Sequence, residues 1–168
     1  GPIESSDLIM KPLGMSCQCL VASPALARSI ALPADPHALS ELPTLALGTE
    51  QRESHWRLDG PDGARIVVPF TPRLVTDDML ALKQAALRGV GVVALPLLMI
   101  RDELDAGTLV DVGAPWQPEA GSVHAIFPSR RGLLPGVREL LDFLSSEYQE
   151  VAKREHDTQV RHKLPTLK

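Results

Sequence analysis

A chain of 168 residues can bury one substantial core, and its 44 % apolar and 23 % charged composition is that of an ordinary globular domain, not of a disordered or fibrous chain. A net charge of −4, no strong Lys/Arg run and only 4 % aromatic residues exclude a nucleic-acid face built on basic patches or base stacking. The longest apolar runs are too short to span a bilayer, and no secretory signal pattern is visible.

Gly1-Pro2 has the form of a protease-cleavage remnant and is left out of the fold reasoning. Asp7 to Pro12 predicts a short strand stopped by Pro12 and Gly14, and Cys17 to Ala22 predicts a second. Ser23-Pro24 opens a short helix, with Ser23 as N-cap and Pro24 at the first helical position. Ile30 to Pro36 reads as loop, and Asp35-Pro36 starts a second short helix that runs to about Leu42. Pro43 to Leu47 is a buried strand, with the loop Gly48-Thr49-Glu50 at its carboxyl end. Gln51 to Leu58 is predicted as one or two helical turns, and Asp59 to Gly63 as a dense turn. Arg65 to Val75 is an irregular or edge strand, interrupted by Pro69 and Pro72.

Thr76 or Asp77 caps a helix over Asp78 to Arg88, and Gly89 ends it. Val90 to Leu95 lacks polar alternation and predicts a strand buried on both faces, as in a parallel sheet. A helix over Leu97 to Ala106, ended by Gly107, and a strand over Thr108 to Val112 complete an α/β alternation with right-handed crossovers. After an Ala114 to Gly121 loop come a strand, Ser122 to Phe127, and an amphipathic helix, Pro135 to about Val151. Val137, Leu140, Leu141 and Leu144 form its apolar stripe. The charged stretch Ala152 to Lys168 reads as a flexible tail.

Little in this chain points to chemistry. Cys17 and Cys19 share one face of a strand and read as small core residues, with redox sensing as the sharper alternative. Two cysteines make no disulfide framework, and Cys-x-Cys lacks the further ligands a zinc site needs. No histidine pair has the i, i+4 spacing of a helical metal site, and no serine sits in a G-x-S-x-G elbow. His124 reads as a packed or pocket-wall residue. Gly89-Val90-Gly91 follows a helix and precedes a strand, the reverse of a phosphate-binding loop, so Gly91 is expected to allow close backbone packing. Asp102, Glu103 and Asp105 read as a solvated helix face. No metal, cofactor or catalytic group is expected, and the chain is read as a binding module and not an enzyme.

The stretch VTDDMLALKQAALRGVGVVALPLLMIRDELDAGTLVDV resembles the effector-binding domain of LysR-type transcriptional regulators, with its capped helix, "G-x-G-x-x-x-L-P" turn and closing "aG-x-L-v-x-v". Upstream, DLIMKPLGMSCQCLVASPALA is similar to that family's "pLg … lvaSPaYLa" segment, and Pro33, Leu39 and Pro43 echo the pattern that follows it. Downstream, SVHAIFPSRRGLLPGVRELLDFL is similar to the family's closing segment, so the likeness runs over about residues 7 to 150.

The resemblance implies a type II periplasmic-binding-protein-like fold: two Rossmann-like α/β lobes, two crossover strands and a C-terminal helix. On that scheme 1–14 is tag remnant and the end of lobe I, and 15–121 is lobe II. Residues 122–151 are the return crossover strand with the C-terminal helix of lobe I, and 152–168 is the tail. The winged helix-turn-helix and the opening of lobe I are expected to lie outside this sequence, so DNA would be met only through that N-terminal domain. The resemblance also implies a cytoplasmic regulator that forms a homodimer or homotetramer and has no membrane partner. Its small-molecule effector is expected to be a carboxylate or an aromatic metabolite.

Thr76 falls where family members often meet the effector, and a helix N-terminus with a capping hydroxyl accepts carboxylates, although the carboxylates of Asp77 and Asp78 oppose an anion there. Val75 leads into it. Gly48, Thr49 and Glu50, with Gln51 and Arg52, lie at a strand's carboxyl end, where α/β sheets bind ligands. Ser23 is a further candidate, although its capping role accounts for it. A transport-system solute-binding protein of the same fold is the alternative reading.

Overall fold

The computed structural model describes residues 9–30, 36–50, 53–127 and 134–163, with side chains through 154 in the last helix. In chain order the elements are β1 (Ile9–Ser16), β2 (Gln18–Ala22), α1 (Pro24–Ser29), a 3-10 segment (Pro36–Glu41), β3 (Leu45–Leu47), β4 (Ser54–Asp59), a 3-10 turn (Pro61–Gly63), β5 (Arg65–Phe70) and β6 (Leu74–Thr76). They continue with α2 (Met79–Leu87), β7 (Val93–Pro96), α3 (Leu97–Asp105), β8 (Val110–Asp111), β9 (Gln117–Pro118), β10 (Gly121–Phe127) and α4 (Pro135–Lys163). The chain divides into two compact units, residues 1–16 with 120–168, and residues 17–119.

In the first unit β1 runs antiparallel to β10, from Ile9 opposite Phe127 to Ser16 opposite Gly121. Pro12 and Gly14 do not stop the strand, contrary to the sequence reading. Instead the register shifts between them, because a residue without an N–H is tolerated at a bulge, and Leu13 turns inward and is buried. Helix α4 packs on β1, pinned by Lys11 Nζ at 2.7 Å from Asp142 Oδ1. Its covered side carries Leu141, Leu144, Tyr148 and Val151 at helical spacing, whereas Val137 and Leu140 of the expected stripe are exposed. The helix also continues past Val151 to Lys163, through a stretch rich in helix formers and free of Gly and Pro. Residues 164–168 of the expected tail, and the loop positions 31–35, lie outside the described residues.

The second unit is centred on a mixed sheet. β3 and β6 pair in parallel, β7 and β8 flank β2 antiparallel to it, and a parallel bridge between Thr44 and Val92 joins the two groups. The resulting order is β6-β3-β7-β2-β8. The strand expected at Val90 to Leu95 therefore has a parallel neighbour on one side only, with β2 running against it on the other. Period-two alternation sends Cys19, Val21, Leu45, Val93 and Leu95 to one face, where Leu82 and Ala86 of α2 and Leu97 and Ile100 of α3 cover them. Leu20, Ala22, Ala46 and Val92 go to the other face, against Leu39, Trp56, Leu58, Val68 and Phe70. Both faces are dry, which is why these strands read as continuous apolar runs.

The largest departure from the sequence reading is β4. The helical turns expected over Gln51 to Leu58 are a strand from Ser54, antiparallel to β5 on one side and β9 on the other; Gln51 and Arg52 lie outside the described residues. Its side chains alternate, with Trp56 and Leu58 buried and His55 and Arg57 exposed. The single irregular or edge strand expected over Arg65 to Val75 is two strands in different sheets: β5 is the edge of β5-β4-β9, and after a break at Thr71 to Arg73 β6 pairs with β3.

Helices α2 and α3 are joined by Lys83, whose ammonium donates to Met99 O at 2.9 Å and pairs with the Glu103 carboxylate. Glu103 is thus not part of a solvated face; its side chain is 19 % exposed, and the hydrogen bond from Lys83 holds its carboxyl below the ordinary range. A carboxyl depressed in the folded state contributes stability above its unfolded pKa, and that contribution is lost as the pH falls through the lower folded value. Lys83→Met is therefore expected to cost about 1 kcal/mol at neutral pH, a difference from wild type that shrinks below about pH 4.5. Urea unfolding of both proteins across that range checks this; a constant difference would refute the pairing.

Candidate functional site

The three parallel strands β3, β6 and β7 end together at Leu47, Thr76 and Pro96, and open α/β sheets place their ligands beyond such carboxyl ends. A cavity of about 580 Å³ lies there. The end of β3 and the loop Gly48-Thr49-Glu50 form one wall, and Val93 to Pro96 of β7 with Gln18 of β2 form another. Leu82 of α2 comes from one core layer and Trp56 and Phe70 from the other, with the Trp56 and Phe70 ring centroids 4.1 Å apart, and the exposed Met79 of α2 adds to the lining. An apolar floor under a few polar groups is the usual composition of a small-molecule site, and the volume suits a metabolite. A smaller recess of about 180 Å³ shares Gln18, His55, Trp56 and Ala94 with this cavity and adds Arg57, Pro118 and Glu119.

The residues singled out from the sequence fall into three groups. Gly48, Thr49 and Glu50 line the cavity. Val75, Thr76 and Asp77 do not: Val75 Cγ1 lies 3.4 Å from the point where a Gly48 Cβ would sit, and Thr76 O accepts the Gly48 N–H at 3.0 Å. Val75 and Thr76 back the cavity wall behind Gly48. The cap of α2 is neither Thr76 nor Asp77 but Asp78, whose Oδ1 accepts from Leu80 N at 2.8 Å and Ala81 N at 3.2 Å. Thr76 Oγ1 is spent on the Asp78 N–H at 3.2 Å, so the first turn's donors are already held by a resident carboxylate.

Ser23 stands at the far end of β2 from Gln18, about 15 Å along a strand of this pitch. It is buried, caps α1 by accepting from Leu26 N at 3.2 Å, and packs against Gly89, which leaves α2 at φ +75°. Trp56, Phe70, Met79, Gln18 and His55 were not singled out. The helical turns expected over Gln51 to Leu58 take in both His55 and Trp56, although the alternation in Ser54 to Asp59 carries a strand signal.

Cys19 is buried on the α2/α3 side, and no disulfide joins it to Cys17. Burial, and then the carboxylate of Asp111 on β8, push its thiol far above the ordinary range. A thiol held protonated is a poor nucleophile, so Cys19 is expected to alkylate at least about 100-fold more slowly in the native chain at pH 8 than in urea. Mass spectrometry after iodoacetamide treatment checks this, and comparable rates would reinstate a redox reading at Cys19. Among the described residues no group of three His, Cys, Asp or Glu side chains is placed to hold a metal ion, and no helix is long and apolar enough to cross a membrane.

The sequence profile of the LysR substrate-binding domain matches residues 1–149. An HTH-type transcriptional regulator of Xanthomonas campestris is 31 % identical over 150 residues, covering 86 % of this chain and 43 % of that protein. The HTH-type transcriptional activator AaeR of Escherichia coli is 23 % identical over 153 residues, covering 91 % of this chain and 49 % of that protein. The chain thus spans about half the length of these relatives. Among solved structures, the regulatory domain of CrgA from Neisseria meningitidis superposes with a TM-score of 0.71 at 21 % identity, covering 88 % of this chain and 72 % of that one. The regulatory domain of AphB from Vibrio vulnificus gives 0.63 at 23 % identity, covering 87 % and 72 %. The fold is the mixed α/β, periplasmic-binding-protein-like fold of such regulatory domains. By the profile match over nearly its whole length and by these relatives, the chain belongs to the LysR substrate-binding-domain family.

Proposed function

We propose that this chain is the effector-sensing module of a cytoplasmic LysR-type transcriptional regulator. The observation that carries the reading is the 580 Å³ cavity at the carboxyl ends of β3, β6 and β7, in a chain of this family. A small molecule held there favours whichever conformation of the domain binds it better, and the parent protein reads that shift out through its DNA-binding part. Gly48, Thr49 and Glu50 contact the effector, and Val75, Thr76 and Asp77 support the wall behind them. Residues 15–121, which contain the compact unit 17–119, act as the second lobe of the domain. The module binds and does not transform its ligand, a carboxylate or aromatic metabolite. The parent works as a homodimer or homotetramer and meets DNA through an N-terminal domain outside this sequence.

A thermal-shift screen against small carboxylates, amino acids and aromatic acids tests this. A ligand at 100 times its Kd stabilises the native state by about 2.7 kcal/mol. A shift in the wild type that disappears in Ala94→Leu, which adds bulk inside the cavity, supports sensing. Turnover of a compound would move the reading to an enzyme, and no shift with any class would overturn it.

A further inference from the structure

Alternation along β2 sends Gln18, with Leu20 and Ala22, to the sheet face that Trp56 and Phe70 cover; Cys19 and Val21 point to the opposite face. Gln18 pairs with Pro96, so it stands at the carboxyl end of β7, where the 580 Å³ cavity opens. Its carboxamide is half-buried, lines that cavity and makes no hydrogen bond with another described residue. A free carboxamide presents an N–H donor and a C=O acceptor side by side. The same face carries Ala46 of β3 and Ala94 of β7 as further lining. β7 is the middle strand of its sheet, yet Ala94 is only half-buried. Two methyl groups stand there where Leu20 and Val92 fill the same layer deeper in, and they leave a slot beneath the Trp56 and Phe70 rings. The charged side chains of the described lining are the exposed carboxylates of Glu50 and Glu53, and that lining includes no Lys or Arg.

We infer that the effector is an uncharged, flat aromatic molecule with an amide edge, a carboxamide or a lactam. The inference rests on the sensing role proposed above, and of its two effector classes it takes the aromatic one and sets the carboxylate aside. The ring lies in the slot, with the alanine methyls on one side and the Trp56 and Phe70 rings on the other. Its amide edge meets the Gln18 carboxamide, N–H to C=O in both directions, so neither partner keeps a buried group unpaired. A carboxylate in the same place offers no donor to the Gln18 oxygen. It also brings a negative charge toward Glu50 and Glu53, with no Lys or Arg of the described lining to answer it.

Calorimetric titration of the chain with 2-naphthamide, 2-acetonaphthone and 2-naphthoate, with melting temperature as a second readout, tests this. The three share one ring and differ in the edge: donor and acceptor, acceptor alone, and anion. The amide is expected to bind about tenfold more tightly than the ketone, the worth of one hydrogen bond, and more tightly than the acid. Gln18→Met keeps the length of the side chain and removes both polar atoms. It is expected to bind amide and ketone equally, with the unliganded melting temperature unchanged, because the carboxamide holds nothing in the protein. Glu50→Gln with Glu53→Gln is expected to strengthen the acid and leave the amide as it was. A ketone or an acid that binds the wild type as tightly as the amide overturns the inference, and so does a preference for the amide that survives Gln18→Met. Silence toward all three, beside a shift with another compound of the screen, overturns the inference and leaves the sensing role standing. Silence toward every compound fails both.

Discussion

Replacing Gly91 by valine is expected to lower the unfolding free energy by about 3 kcal/mol, and replacing it by alanine by about 1–2 kcal/mol. A Cβ at this position would lie 2.8 Å from Pro43 O and 3.0 Å from Leu45 Cδ2. Pro43 O has no freedom to retreat, because it accepts the Val92 N–H at 2.7 Å while Leu45 N donates to Val92 O at 2.8 Å. Those two bonds are the seam between the β3/β6 pair and the β7-β2-β8 group, and the carboxyl ends that frame the cavity depend on it. Any side chain at 91 must open the seam or push Leu45 out of the core. Urea titration followed by far-UV circular dichroism reads the effect directly. A Gly91→Val midpoint equal to that of the wild type would mean that the two groups of strands are not held together at this contact.

The sequence announced this glycine, because a Gly between a helix stop and an apolar strand, with no phosphate-loop order around it, asks for close backbone approach. It announced the helices α2 and α3 for similar reasons, since Gly89 and Gly107 end them and apolar residues recur at helical spacing. Strand direction was another matter. Val90 to Leu95 reads as buried on both faces whether its neighbours run with it or against it, so β2 was not recognisable as the reversed strand. The continuation of β1 through Pro12 was illegible too. A proline argues against a ladder position, and only the bulge that seats Leu13 makes it tolerable.

The site was legible where it coincides with a strand end. Gly48, Thr49 and Glu50 follow the Pro43 to Leu47 run, and the rule that ligands gather at carboxyl ends points to them; they line the cavity. Thr76 was singled out by likeness to the family; it does not line the cavity, and only its backbone O meets the lining, through the Gly48 N–H. The other half of the lining arrives from β4, β5 and the start of β2, which no local pattern connects to β3. Those contacts exist only after long-range pairing, and a misread period over Ser54 to Asp59 hid the one segment that could have hinted at them.

That segment supplies the residue with the largest expected effect. Trp56 is 6 % exposed, packs at 4.1 Å between ring centroids against Phe70, and lines both the cavity and its recess. Trp56→Ala removes the largest buried side chain of the layer under the sheet and is expected to cost about 4 kcal/mol. Trp56→Phe keeps a ring against Phe70 and should cost far less, about 1–2 kcal/mol. Circular dichroism in urea measures both, since the fluorophore itself is changed. The comparison matters for function because Leu45, Leu82, Val93 and Leu95 likewise belong to a core layer and to the cavity wall at once. A cavity floored by core side chains does not change shape unless packing changes, so a ligand that fits it must act on the stability of the same layers that hold the strands together. A loss below about 1 kcal/mol for Trp56→Ala would separate the two. The ring would then be lining alone, and the coupling between cavity and core would have to run through the leucines of the opposite layer.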